Sequence, residues 1–262
     1  MTDAPFTVAR NGAVLEVTLT RGKANAIDAV TSRQLGDTFA AFRDDPALRV
    51  AIIASGNPRF FSAGWDLKTA AAIDEPPDTD YGVGGFGGLQ ALPNLNKPVI
   101  AAVNGMCVGG GFEIALSADL IVASEDVRFC LPEIKAGTLA DAATLKLPRR
   151  IPYHIAMDLL LTGRWMDAAE AKHWGLVNEV VAPDTLMARA REIAALLAAG
   201  PPLVFAAIKE VAREAEGVPF QTALARINAR GYPTVATLYS SEDQLEGPRA
   251  FAEKRAPVWK GR

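Results

Sequence analysis

Between Ala13 and Thr20, the apolar positions Ala13, Leu15, Val17 and Leu19 alternate with Glu16, Thr18 and Thr20. This period of two predicts a strand with one face on a core. The period then lengthens. Val30, Leu35, Phe39 and Phe42 suggest one face of a helix that Asp28 or Thr31 caps and Asp44-Asp45-Pro46 ends. Short apolar runs at Val50 to Ile53, Pro98 to Val103, Leu120 to Ala123, Val127 to Cys130 and Val177 to Val181 predict buried strands. A glycine turn after the second run leads into helical spacing over Phe112 to Ala118. Strands alternating with helices favour an α/β architecture. After Pro183 the chain turns alanine-rich, predicting helices near 185–198, 203–216, 220–229 and 242–254. Their apolar faces exceed what a short tail can hide, so the reading is a core over 1–199 and a helical cap or assembly region over 200–262.

Composition narrows the field. With 27 basic and 30 acidic residues and a formal net charge of -3, the chain lacks the broad basic surface of a nucleic-acid binder, and no nucleic acid is expected as partner. Cys107 and Cys130, set among apolar or small residues, suit buried thiols in a reducing cytoplasm. The start, Met1 to Arg10, lacks a signal-peptide pattern, and Gly200-Pro201-Pro202 interrupts the apolar stretch 193–208, so no membrane partner is expected. His154 and His173, the only histidines, stand apart from the cysteines and carboxylate clusters, so no metal site is expected. Carboxylates and backbone groups are left to carry chemistry.

Gly109-Gly110-Gly111 precede Phe112 and Glu113. The run by itself fits first a tight turn packed on another strand, and also a helix N-terminus whose N–H groups face a ligand. Glu113 fits a helix-dipole role as well as a catalytic one. Glu133 follows Leu131-Pro132 at the end of an apolar strand, where partial burial would raise its pKa, while a surface loop position is equally compatible. Phe61-Ser62-Ala63-Gly64-Trp65-Asp66 is a second small-residue turn with room for an exposed N–H, and Asp66 fits an ordinary helix cap there.

Taken in order, Phe61 to Asp66, Lys97 to Gly105, Gly109 to Glu113 and Leu131-Pro132-Glu133 resemble the crotonase, or enoyl-CoA hydratase/isomerase, superfamily over nearly the whole chain. Further segments, Lys23 to Asp28, Phe42 to Pro46, Gly84 to Leu89 and the tail from Ser241 to Arg262, resemble the branch that interconverts crotonobetainyl-CoA and carnitinyl-CoA. The resemblance implies a spiral of strand-strand-helix units with a C-terminal helical assembly region, and a homotrimer or dimer of trimers. It implies a lyase acting on an acyl-CoA thioester, with coenzyme A carried by the substrate and no tightly bound cofactor. By motif position, the backbone N–H groups of Trp65 and Gly110 would form the oxyanion hole for the thioester oxygen. Glu113 would be the water-side base and Glu133 the acid/base at the α-carbon. Lys23, Ala24, Ala26 and Ala63 would bind CoA. Lys254 resembles a basic position reaching CoA from a neighbouring subunit, although a solvated helix charge reads the same.

A quaternary ammonium on the acyl group favours aromatic faces, with Tyr81, Phe86, Trp65 and Trp165 as candidates for such a wall or as plain packing. The segment Gly137 to Thr144 departs from the family's proline and glycine pair, and the methyl groups of Ala142 and Ala143 are expected to narrow the acyl pocket. An isomerase or another hydratase on the same fold, and a non-catalytic acyl-CoA-binding protein, are the competing functions.

Overall fold

The computed structural model describes residues 4–74, 76 and 78–262. Among these residues ten strands form two sheets: β1 (Phe6–Asn11), β2 (Val14–Leu19), β3 (Val50–Ser55), β4 (Phe60–Ser62), β5 (Val99–Val103), β6 (Met106–Val108), β7 (Leu120–Ser124), β8 (Arg128–Cys130), β9 (Trp165–Asp167) and β10 (Glu179–Val181). The larger sheet runs β1-β2-β3-β5-β7-β10 and the smaller β4-β6-β8-β9. Apart from the antiparallel pairs β1/β2 and β8/β9, all neighbours are parallel. Every residue of β5, Val-Ile-Ala-Ala-Val, is buried, as a central parallel strand covered on both faces requires.

Successive helices are α1 (Ala29–Asp44), α2 (Leu67–Ala72), α3 (Gly110–Ser117), α4 (Glu133–Ala136), α5 (Asp141–Lys146), α6 (Tyr153–Thr162), α7 (Ala168–His173) and α8 (Leu186–Ala198). Beyond them come α9 (Pro202–Glu214), α10 (Phe220–Asn228), α11 (Pro233–Leu238) and α12 (Asp243–Ala252). The architecture is α/β with a helical C-terminal region. One core fills the space between the two sheets and α1, α3 and α6, and a second lies between the large sheet and α8. Ala207, Tyr232 and Val235 make a small third cluster among the last helices. No single helix among the described residues is long and apolar enough to cross a membrane, and α8 and α9 meet at a 102° bend.

Two details differ from the sequence pattern. Val30 is 55% exposed while Leu35, Phe39 and Phe42 are buried. Five residues turn a helix by about 140° beyond a full revolution, so Val30 and Leu35 fall on different faces, and Ala29, Thr31 and Ser32 pack inward instead. Glu16, read as the polar face of β2, is buried because α8 covers that face. Arg191 meets its carboxylate with hydrogen bonds of 2.9 and 2.7 Å. Asp28 caps α1 by accepting from the Thr31 N–H at 2.8 Å.

Candidate active site

The small sheet assembles the site. β4, β6 and β8 are adjacent and parallel, so the chain leaves all three at the same end, where open α/β sheets place their ligands. β4 continues into Ala63-Gly64-Trp65, β6 into Gly109 and α3, and β8 into Leu131-Pro132 and α4. Trp65, Gly110, Glu113 and Glu133 therefore converge on one cavity, lined also by Tyr81, Phe86, Gln90 and Asp141. A second cavity shares Trp65, Gly110, Glu133 and Thr138 with the first and extends to Ala63, Leu67 and Lys135.

Backbone contacts explain the exposed N–H groups. The Ile27 N–H donates to the Gly64 carbonyl at 2.8 Å, and the Asp66 N–H to the Ile27 carbonyl at 2.9 Å. These bonds fasten both neighbours of Trp65 and leave its own N–H without an acceptor among the described residues. Gly110 opens α3, so its N–H has no intrahelical acceptor. A Cβ on Gly64 would lie 2.7 Å from the Gly110 nitrogen, and the φ of +79° at Gly64 independently disfavours a side chain. The two segments thus touch backbone to backbone, which brings both donors to one spot. Gly109 likewise has φ +54°, and a Cβ there would stand 2.7 Å from Glu133 Oε1. The glycine run is at once a packed turn and a helix start facing the cavity.

The two glutamates sit in different surroundings. Glu113 is 6% exposed. Its Oε1 accepts from the Ala143 N–H at 2.9 Å and its Oε2 from the Gln90 amide at 2.9 Å. Burial raises its pKa, and these two donors oppose the rise by favouring the ionised form. Glu133 Oε2 is buried with no hydrogen-bond partner among the described residues. Burial first, and then the negative charges of Glu113 and Asp141, push its pKa up from 4.5 to about 7. Both carboxyl pKa values are raised, but Glu113 has two donors that favour its carboxylate and Glu133 Oε2 has none among the described residues, a difference of surroundings that suits paired general acid/base work.

Of the residues expected to bind CoA, Lys23, Ala24, Ala26 and Ala63 come together. The Ala63 N–H donates to the Ala24 carbonyl at 2.9 Å, and Arg21 bonds the Ala26 carbonyl, Asp28 and Asp66, tying that segment to the Trp65 turn. Asp66 also caps α2. Lys254 follows α12 and lines neither cavity.

Tyr81, Phe86 and Trp65 form an aromatic wall, with the Tyr81 and Phe86 rings edge to face at 5.3 Å. Trp165 does not join it. It lies on β9 opposite Cys130, 45% exposed and outside both cavities. The methyl groups of Ala142 and Ala143 are buried and do not line the cavity, which Thr138, Leu139 and Asp141 line instead. What that segment delivers to Glu113 is a backbone N–H. Sequence reasoning missed Gln90 and Asp141. Gln90 directly follows the quoted glycine loop, and Asp141 is the one acidic residue in the departing segment.

Lys146 supports this shell. Its pKa falls to about 8 through burial and then the neighbouring Arg150, and its Nζ donates to Ser117 Oγ at 2.7 Å and the Gln90 carbonyl at 3.2 Å. The Ser117 hydroxyl in turn donates to the Glu113 carbonyl at 2.7 Å.

The enoyl-CoA hydratase/isomerase family model matches residues 9–262. The chain is 54% identical over 257 residues to a carnitinyl-CoA dehydratase of Salmonella typhi and 53% identical over 254 residues to one of Citrobacter koseri, with 97% of each chain covered in both cases. The crystal structure of an enoyl-CoA hydratase from Mycobacterium tuberculosis is similar with a TM-score of 0.88 at 38% identity, covering 98% of this chain and 99% of that one.

Proposed function

The chain belongs to the enoyl-CoA hydratase/isomerase family, and we propose that it is a lyase interconverting crotonobetainyl-CoA and carnitinyl-CoA by adding or removing water. The observation that carries this reading is the meeting of two differently tuned glutamates and two unpartnered backbone N–H groups on one cavity.

In hydration, the thioester carbonyl accepts hydrogen bonds from the Trp65 and Gly110 N–H groups. Charge that builds on its oxygen is stabilised, typically by several kcal/mol in total. Glu113, whose carboxylate oxygens accept from Gln90 and Ala143, takes a proton from water as the water oxygen bonds to the β-carbon. Protonated Glu133 gives its proton to the α-carbon. Dehydration reverses each transfer. The net change is one water added across the double bond, so no redox partner is needed, and CoA enters as part of the substrate.

On the same reading, the thioester reaches the oxyanion site through the second cavity, past Ala63 and Leu67, with the Lys23 to Ala26 backbone on its adenine side. We place the protein in the cytoplasm, in keeping with the unpaired, buried Cys107 and Cys130. We keep the boundary near Gly200, past the last buried residue of the two main cores. A homotrimer or dimer of trimers accords with the exposed Leu196, Ile208, Phe220 and Phe251, and would leave Lys254 to serve a neighbour's CoA.

The deciding measurement is mass spectrometry of the purified protein with enoyl-CoA and 3-hydroxyacyl-CoA thioesters, crotonobetainyl-CoA included, in heavy-oxygen water. Heavy oxygen in a 3-hydroxyacyl product supports hydration. Double-bond migration without label makes the protein an isomerase, and no turnover of any thioester leaves a binding protein.

A further inference from the structure

We propose that Asp141 is the specificity-determining residue that supplies the counter-charge for a quaternary ammonium on the acyl group, completing an aromatic box made by Trp65, Tyr81 and Phe86. The inference rests on the proposed crotonobetainyl-CoA reading and adds to it a residue with a defined role.

A trimethylammonium group has no N–H to donate, so hydrogen bonds cannot select it. Aromatic faces and an unshielded negative charge can. Both features meet here. Tyr81 and Phe86 stand at 79° to one another, presenting differently directed surfaces to a bulky methylated cation, and Trp65 lines the same cavity. Among the described residues that line this cavity there are three carboxylates, on Glu113, Glu133 and Asp141, and no cationic side chain.

Two of these carboxylates are committed elsewhere. Glu113 is bonded to Gln90 and Ala143, and burial drives both glutamates toward the neutral form. Asp141 is the first residue of α5 at the exposed mouth, and its carboxylate makes no hydrogen bond or ion pair with any described residue. A carboxylate without a partner, beside an aromatic wall and in a cavity without cations, suits a cation delivered by the ligand. Thr138 and Leu139, just before it, contribute wall without charge.

The test is calorimetric binding to the full-length protein, which does not depend on turnover. The probes are the saturated thioester bearing trimethylammonium and its neutral isostere with a tert-butyl group in the same place. The wild type is expected to prefer the cation. Asp141→Asn and Asp141→Ser should each cut the ratio of the two affinities by roughly tenfold, the scale of one partly solvated charge pair, and Asp141→Glu should retain most of the preference.

Circular dichroism checks that each variant is folded. An unchanged ratio in both neutral variants overturns the proposal, as does equal weakening toward both probes, which would make Asp141 a shape element only. The outcome stays separable from the proposed activity. If the wild type fails to turn over crotonobetainyl-CoA yet the ratio falls in the variants, the activity reading is lost and the cation site stands.

Discussion

Replacing Glu133 by glutamine exposes two consequences of burying one carboxylate. Glutamine has nearly the same shape but neither ionises nor gives up a proton at the α-carbon. Turnover should therefore fall at least ~10²-fold, the usual cost of losing an acid/base group. Stability should move the other way at alkaline pH. The pKa of Glu133 in the folded chain is raised from 4.5 to about 7 by burial and by Glu113 and Asp141, so the folded state holds a proton the unfolded chain would release. That favourable contribution is complete below the unfolded pKa and is lost as pH rises through the folded one. At about 1.4 kcal/mol per pH unit, the loss approaches ~3 kcal/mol once the group is fully ionised, an order-of-magnitude figure. The glutamine variant never incurs it. For a chain of this size the variant should melt several degrees above the wild type at a pH of about 8.5, with the advantage shrinking toward zero near a pH of about 5. Thermal unfolding followed by circular dichroism across that range, with parallel hydration assays, measures both. A melting difference that does not grow with pH would refute the burial argument, and full activity would remove Glu133 from the chemistry.

The same raised pKa gives an expectation for the wild type. On the proposed mechanism hydration uses protonated Glu133 and should weaken as pH rises through about 7, while dehydration uses the carboxylate and should strengthen over that range, as pH profiles of kcat/KM in the two directions would show. Glu113→Gln should also lower turnover at least ~10²-fold while leaving CoA affinity within a few-fold, read by steady-state kinetics and product inhibition. Gly64→Ala would force a methyl against the Gly110 nitrogen and the Val108 carbonyl, each 2.7 Å away, and should impair kcat through the displaced donors; wild-type kinetics in that variant would count against the oxyanion assignment. Light scattering should give a trimer or its double, and a monomeric mass across working concentrations would remove the assembly reading.

Some of this protein was legible in linear order. The small-residue turn from Ser62 to Asp66, the glycine run from Gly109 and the proline after Cys130 are local features, because turns and helix starts depend on residues close in sequence. The strand and helix succession of the core was readable for the same reason. β1, β4, β6 and β9 were not, since short strands are stabilised by partners distant in the chain and leave little periodicity of their own.

What the tertiary structure alone decided is which side chains share a solvent-excluded space. Linear order brings Glu113 and Glu133 forward as candidates, but only the parallel pairing of β6 with β8 puts them on one cavity, and only burial tunes one of them to about 7. Gln90 bonds Glu113 across 23 positions and Ala143 across 30, contacts that no local pattern encodes. Aromatic character likewise made Trp165 as good a candidate as Trp65. The pairing of β9 on the far side of β8 sends it to the surface, while the Ile27 contact holds Trp65 at the cavity. Local sequence sets which backbone shapes are cheap, whereas desolvation and charge proximity, which set reactivity, depend on the packing of the whole chain.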